Sequence, residues 1–571
     1  MKKIKFLSKL IIQILFFISI FNVIYAKNYE KYYQEDKISN YFSGILLLND
    51  NDYINSYKKL KQLDGLESIH LPYSRLYQYS LVNLERIDEA YKFSKNLEKE
   101  KIDSFESNLI IGVYYLKNKK YEKAKKYFKK MEKFNQSQYV QELLTRSLNI
   151  WISFIEQDQE NALQLINSIP KKFENIKQIQ LAFAHCFYES KNTNQEFKNL
   201  ISKSNIDLSR YNFFQADYLY KNNKINEANE LLELTLKNFP QNLILRQLKE
   251  DFNNKIDRNF ANQFDCKDLS HNIAELFYII SNIFSSRSFY SSSNFYLNLA
   301  NYLNPKFASF KSLYAENFYM IGNLNEAKNI YDEIQNKGEE YNWFSSKQIA
   351  KIYKKQKKKE LSLKFLDSAF KNIKSPNVYK LYDYAEFLRN SEKYKKSILH
   401  YTKALQLIDS KHSLYPKITY SRGVAYERIE KWSKSEEDLL NSLEAKPNQA
   451  YVMNYLAYTW IEKGKNIDKS LEMLKTANEL KKDDAYIIDS LGWALFKLKR
   501  YKEAEKYLQL AVKKMPGDPT VNDHYGDVLW MNSKNMQARY YWKYVLNLKK
   551  TEQKLKETIK LKMLSGPKSI L

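Results

Sequence analysis

Residues 485–519 read AYIIDSLGWALFKLKRYKEAEKYLQLAVKKMPGDP, and this stretch decides the fold. Leu491 and Gly492 fall in a first predicted helix, and Pro516 closes the unit, since proline stops a helix. The second predicted helix carries its small and apolar positions at Tyr501, Ala504, Leu508 and Ala511. The stretch therefore predicts a helix-turn-helix unit with a period of 34 residues.

The same pattern recurs along the second half of the chain. Eight units start near residues 274, 308, 343, 378, 416, 450, 485 and 519. Paired alanines occupy the two predicted helices of successive units at Ala315 and Ala327, Ala350 and Ala369, Ala385 and Ala404, and Ala457 and Ala477. A fixed period of this length is typical of a stack of helix pairs, in which each pair covers the apolar face of its neighbour.

Weaker copies precede these units, with starts near residues 38, 72, 106, 140, 176 and 209. The best of them, IIGVYYLKNKKYEKAKKYFKKM, places Gly112, Ala124 and Phe128 on the expected positions. Residues 243–273 break the pattern, because they are polar and lack an alanine at the crossing position. We predict a helix and an irregular connector there, between two superhelical segments.

The pattern of Leu491, Gly492, Tyr501, Ala504 and Pro516 resembles the tetratricopeptide repeat. The closing repeats, over 450–548, are also similar to those of exported tetratricopeptide repeat proteins of α-proteobacteria. The resemblance implies an all-α, right-handed superhelical solenoid of about fourteen repeats, and a non-enzymatic scaffold or adaptor in the cell envelope. The predicted regions are 1–26 (signal peptide), 27–242 (degenerate repeats), 243–273 (connector), 274–552 (C-terminal array) and 553–571 (closing helix and basic tail).

The N-terminus has the pattern of a secretory signal, with a lysine-rich start and an apolar run from Leu10 to Tyr25. Ala26 is the candidate cleavage residue. The alternative is an uncleaved membrane anchor, because the run approaches spanning length. Both interpretations predict export, to a bacterial periplasm.

Residue types that carry catalysis or bind cofactors are scarce. The six histidines are scattered, and none forms a His-Glu-x-x-His pair. The 11 glycines form no phosphate-binding loop. Cys186 and Cys266 lie more than two repeat lengths apart, so we expect free, buried thiols. The sequence favours a protein without enzymatic activity, cofactor or metal site.

A column of acidic and aromatic residues stands out in the last three repeats. As the family resemblance implies, residues of the first helices line the concave groove of such an array. The candidate partner-binding residues are Tyr451, Asn454, Tyr458, Tyr486, Asp489, Trp493, Phe496, Asp523, Asp527 and Trp530. Aromatic anchors with a few fixed polar groups dominate binding energy at interfaces. The alternative is structural: Asp489 and Asp523 brace the first helices, and Trp493 packs on a neighbouring repeat.

The formal net charge is +26, which indicates a second possible class of function. Lysines crowd the segments 117–133 and 351–360. They are either solvated outer faces or a surface for anionic lipid or polysaccharide. The leading hypothesis is a periplasmic scaffold for protein or peptide partners, and the alternative is a binder of envelope polymers or membrane surfaces. Nucleic acid is not expected, because it conflicts with export.

Overall fold

A computed structural model describes residues 35–67, 70–134, 139–202, 207–254 and 261–567. Within these residues it contains thirty α-helices, packed in adjacent pairs, and this number corresponds to fourteen to fifteen repeats. The predicted all-α repeat fold is confirmed. The predicted signal peptide at residues 1–26 lies outside the described residues. No helix in the described part of the chain combines the length and apolarity that crossing a membrane requires.

The chain divides into two compact units, unit 1 up to Ala369 and unit 2 from Phe370 onward. The helices that begin in unit 1 are α1 (Glu35–Asn49), α2 (Tyr53–Lys61), α3 (Leu71–Asn83), α4 (Ile87–Lys99), α5 (Phe105–Lys117), α6 (Tyr121–Lys130), α7 (Tyr139–Ser153), α8 (Gln159–Asn167), α9 (Glu174–Phe187), α10 (Thr193–Ser202), α11 (Tyr211–Lys221), α12 (Ile225–Asn238), α13 (Leu243–Asn253), α14 (Leu269–Ser286), α15 (Tyr290–Leu303), α16 (Ser309–Ile321), α17 (Leu324–Ile334), α18 (Glu339–Lys355) and α19 (Lys359–Lys371).

The helices of unit 2 are α20 (Val378–Arg389), α21 (Tyr394–Leu405), α22 (Tyr415–Glu427), α23 (Trp432–Ala445), α24 (Ala450–Glu462), α25 (Ile467–Leu480), α26 (Ala485–Lys497), α27 (Tyr501–Lys514), α28 (Pro519–Met531), α29 (Asn535–Asn547) and α30 (Gln553–Ser565).

Small residues at the helix crossings let the two helices of a repeat approach closely. A Cβ atom added to Gly492 would lie 2.7 Å from the Leu508 side chain, and one added to Gly112 would lie 2.4 Å from the Phe128 ring. Ala504 is fully buried at the same crossing as Gly492. These contacts explain why these two repeats have glycine at the crossing in the first helix and why the 485–519 unit has a small residue, Ala504, in the second.

Unit 1 is held together by contacts between residues that are far apart in sequence. Asn294 Nδ2 on α15 donates a hydrogen bond to Tyr53 Oη on α2, at 2.8 Å. The Tyr79 ring on α3 stacks on Phe295 with the ring centres 4.2 Å apart. The first repeats of the unit therefore pack directly on α15, more than 200 residues later.

The expectation of free thiols is wrong, because Cys186 and Cys266 form a disulfide with Cα atoms 5.8 Å apart. The expectation assumed that each repeat meets only its neighbours. Residues 261–268, within our predicted connector, instead fold back onto earlier helices of unit 1. The centre of the Phe264 ring lies 5.3 Å from that of Phe183 on α9 and 4.7 Å from that of Phe214 on α11. This packing brings the two cysteines together.

Candidate functional site

The ten predicted partner-binding residues lie on three successive first helices of unit 2. Tyr451, Asn454 and Tyr458 are on α24. Tyr486, Asp489, Trp493 and Phe496 are on α26. Asp523, Asp527 and Trp530 are on α28. Asp484 and Asp518 are the N-cap residues of α26 and α28, and each carboxylate accepts hydrogen bonds from the first backbone amides of its helix.

A cavity of about 460 Å³ lies along these helices, and we call it the unit 2 groove. Its lining residues are Glu427, Arg428, Asn454, Tyr455, Tyr458, Thr459, Glu462, Tyr486, Asp489, Ser490, Asp518, Thr520 and Val521. Four of the ten predicted residues are among them. The other six lie elsewhere on the three helices, outside the groove lining.

Trp493 is the centre of an aromatic stack. Its ring lies parallel to His524 of the next repeat, with centres 4.0 Å apart, and parallel to Phe496 at 4.7 Å. The indole Nε1 donates a hydrogen bond of 2.6 Å to Glu462 Oε1 of the preceding repeat. The side chains of Trp493 and Phe496 are both buried. Trp493 joins neighbouring repeats, and Phe496 packs against Trp493 and Tyr501 of its own repeat.

The aspartates of α26 and α28 form a buried network of charges with two basic residues. Asp489 accepts from His524 Nδ1 at 2.9 Å. Lys562 Nζ on the closing helix α30 donates to Asp523 at 2.8 Å and to Asp527 at 2.7 Å. The closing helix therefore supplies one cation that Asp523 and Asp527 share, and it covers both carboxylates.

Burial and mutual interaction shift the pKa values in this network. Burial by itself would lower the pKa of His524, but the carboxylates of Asp489, Asp523 and Asp527 together outweigh burial and raise that pKa above its ordinary value. Burial and the neighbouring Asp523 charge raise the pKa of Asp527 to about 7. Burial would lower the pKa of Lys562, and the two aspartates raise it. The network thus favours protons on these groups.

The groove itself is rich in hydrogen-bond acceptors. Four carboxylates line it, on Glu427, Glu462, Asp489 and Asp518, against the single guanidinium of Arg428. Asn454 Oδ1 is buried and accepts no hydrogen bond from any residue that the structure describes. The groove can therefore satisfy donors of a partner.

A family model described as a tetratricopeptide repeat matches residues 337–551. This segment is a tetratricopeptide repeat array. It includes every helix that lines the unit 2 groove.

The array is similar to other repeat proteins over parts of their length. TPR repeat-containing protein PA4667 of Pseudomonas aeruginosa is 30% identical over 146 residues, which are 25% of this chain and 23% of that protein. The chain thus spans about a quarter of the length of the curated relative that it matches.

Similar solved structures include a tetratricopeptide repeat protein from Parabacteroides merdae, 17% identical, with a TM-score of 0.33 over 39% of this chain and 85% of that chain. MamA AMB-1 is 19% identical, with a TM-score of 0.26 over 29% of this chain and 96% of that chain. YrrB, described as having an unusual peptide-binding site, is 17% identical, with a TM-score of 0.27 over 32% of this chain and 92% of that chain.

Two exposed tyrosines lie at the start of first helices of the array. Tyr486 lines the groove and is 59% exposed. Tyr451 is 54% exposed, and its hydroxyl donates to Asp484 at 3.0 Å. Tyr458 is half-buried, and burial followed by the charges of Glu462 and Asp489 raises its pKa. Trp530 is half-buried against Trp542, 5.5 Å away, outside the groove.

Sequence reasoning missed three of the groove carboxylates. Glu427 and Glu462 end the first helices α22 and α24 and were not selected as candidates, and Asp518 precedes α28. Lys562 was missed because it belongs to the closing helix, which lacks the repeat pattern. A signal for Lys562 existed, since two aspartates four residues apart on a buried face require a nearby cation.

The lysine-rich segment 117–133 is partly structural. Lys117 Nζ donates to the Leu303 carbonyl at 2.9 Å, Lys130 pairs with Glu98 at 2.7 Å, and Lys125 pairs with Glu156. The lysines of this segment that remain exposed are Lys119, Lys120, Lys123, Lys126, Lys129 and Lys133. In the described part of the chain, no three His, Cys, Asp or Glu residues are placed to hold a metal ion.

Proposed function

We propose that this protein is a non-enzymatic scaffold of the periplasm that binds a protein partner in the unit 2 groove. Tetratricopeptide repeat proteins generally act as scaffolds for protein–protein interaction. One observation carries the assignment to this groove: exposed Tyr486 and half-buried Tyr458 line the same cavity as Asn454, whose buried Oδ1 has no hydrogen-bond partner among the described residues. Aromatic anchors beside a polar group that requires a donor are typical of a peptide site.

Two features support the proposed location. The N-terminal sequence has the pattern of a secretory signal. The Cys186–Cys266 disulfide is favoured in an oxidising compartment, since cytosolic thiols are kept reduced. We further propose that a periplasmic scaffold of this kind assists the assembly of an envelope complex.

Photo-crosslinking in cells tests the proposal. A p-benzoylphenylalanine at Tyr486 or Tyr451 is expected to form a discrete protein adduct. Trp493 and Asp527 are unsuitable positions, because both are buried. Tyr540 is the matched control, since it is a tyrosine of the same unit, 68% exposed, on the second helix α29. Equal adducts at all three positions would overturn the proposal.

A second candidate function is binding of anionic lipid or polysaccharide through the exposed lysines of segment 117–133. The six exposed lysines favour it, because their charges lie on one repeat without the carboxylate partners that Lys125 and Lys130 have. Salt separates the two functions, since surface charges are screened beyond about 8 Å at physiological ionic strength. Adducts at Lys126 that disappear at high salt would favour this candidate.

A further inference from the structure

We propose that the partner segment held in the unit 2 groove is cationic and places a lysine or arginine side chain among the groove carboxylates. This inference rests on the proposed function and names the partner chemistry of the same site. Three independent features of the groove support it: the pairing of its carboxylates, the state of Asn454, and its aromatic side chains.

Two of the four groove carboxylates lack a basic partner. Asp489 is paired with His524, and Glu427 lies 3.5 Å from Arg428 Nε. Glu462 accepts a hydrogen bond from the indole of Trp493, and Asp518 accepts from backbone amides. No lysine, arginine or histidine among the described residues pairs with either Glu462 or Asp518, so a cation from outside would meet two carboxylates that have no cationic partner.

Asn454 adds a requirement for a donor. Its Oδ1 atom is buried and unpartnered in the described structure, and an unpaired buried acceptor is energetically unfavourable. Lysine and arginine side chains and the peptide backbone all supply donors, whereas a carboxylate supplies none. The charged groups of the groove lining, four carboxylates against one guanidinium, therefore suit a cationic segment better than an acidic one.

Aromatic rings complete the site. Tyr455, Tyr458 and Tyr486 line the same cavity as the carboxylates. Rings of this kind attract a cation over their faces and pack against the aliphatic part of a long basic side chain.

The charge of the whole chain makes this groove selective. The formal net charge is +26, so most of the surface repels a basic partner. The groove lining contributes four carboxylates against one guanidinium. A basic segment is therefore attracted at the groove and discouraged elsewhere, which raises specificity without many contacts.

An array of nine-residue peptides with varied lysine, arginine, glutamate and serine content tests the inference on the full chain. Bound peptides are expected to be enriched in lysine and arginine. The variant Glu462→Gln with Asp518→Asn should weaken binding of those peptides about tenfold, because a loss of 1.4 kcal/mol corresponds to a factor of ten. Both changes are conservative, since glutamine can still accept the hydrogen bond from Trp493 and asparagine can still serve as the N-cap of α28.

Glu436→Gln is the matched control, because Glu436 also accepts the hydrogen bond of a buried indole, that of Trp460, and lies outside the groove lining. It should leave peptide binding unchanged. Enrichment in glutamate, or lysine-rich binding that the double variant does not weaken, would overturn the cationic partner and leave the proposed function standing. If no peptide binds, or if binding does not depend on Tyr458 and Tyr486, both the cationic partner and the proposed function are overturned.

Discussion

Unit 1 and unit 2 consist of similar helix pairs but are stabilised over different sequence distances. In unit 1, Asn294 bonds to Tyr53, 241 residues away, and a disulfide joins positions 80 residues apart. In unit 2, the indole of Trp493 bonds to Glu462, 31 residues away in the neighbouring repeat. Contacts between neighbours make stability a sum over repeats, whereas distant contacts make many repeats unfold together. We therefore expect unit 1 to unfold as one block and unit 2 repeat by repeat.

The largest expected effect is loss of the disulfide. Replacing Cys186 and Cys266 by alanine removes a link across 80 residues, which the chain-entropy model values at about 4.5 kcal/mol. Calorimetry should show a lower transition temperature for unit 1. Unit 2 has no cysteine and serves as an internal control, because the chain contains two in all. An equal decrease in both units would contradict the comparison.

The second-largest expected effect concerns the C-terminal end of unit 2. Lys562→Met leaves Asp523 and Asp527 buried without their cation, and breaking a buried pair in this way costs about 3–5 kcal/mol. Hydrogen exchange should show faster opening of α28 and α29, while α20 and α21 remain protected. Adding Asp523→Asn and Asp527→Asn to Lys562→Met should restore most of the protection. Opening of the whole unit at one rate would show that unit 2 is as cooperative as unit 1.

Two glycines at equivalent crossings compare the units directly. Alanine at Gly112 or Gly492 would force the facing Phe128 or Leu508 side chain to move, a change that typically costs about 1–3 kcal/mol. We expect Gly112→Ala to lower the single transition of unit 1, and Gly492→Ala to destabilise only the helices around α26. Gly517→Ala is the control, because a Cβ atom added there would meet no described atom within 4 Å. Identical unfolding profiles for the two glycine variants would remove the distinction between the units.

The sequence predicts the fold well where the interactions are local. The period of the repeats, with Gly492 facing Leu508 and Pro516 after the second helix, follows from residues within one unit of 34 positions. The Cys186–Cys266 bond could not be predicted in this way, because it depends on residues 261–268 folding back onto α9. Periodicity carries no information about which distant repeats meet.

The candidate site shows the same limit. The first-helix pattern identified Tyr458, Tyr486 and Asp489, and the cavity lies beside them. It also selected Asp527, whose carboxylate the closing helix covers through Lys562. A residue's position in the repeat predicts which face of the helix it occupies. Whether that face is open depends on what packs against it, and for the last repeat this is a helix without the repeat pattern.

The smallest expected effect is a pH dependence confined to the end of unit 2. The folded state raises the pKa of Asp527 to about 7, against about 4 for an unfolded aspartate, so the folded state holds the proton more tightly. Stability is then lost as pH rises through 7, by roughly 1 kcal/mol between pH 6 and 8. His524 acts in the same direction, because its pKa is also raised and its charged form is stabilised by Asp489.

Urea unfolding at pH 6 and pH 8 checks this expectation, with hydrogen exchange of α28 as the local readout. Asp527→Asn should reduce the difference between the two pH values, since asparagine does not titrate and Lys562 keeps Asp523 as its partner. The same variant should leave the transition of unit 1 unchanged at both pH values. A pH effect on α28 that persists in Asp527→Asn would assign it to His524, and His524→Gln should then abolish it. If neither variant alters the pH effect, the charges of this network do not control the stability of the last repeat.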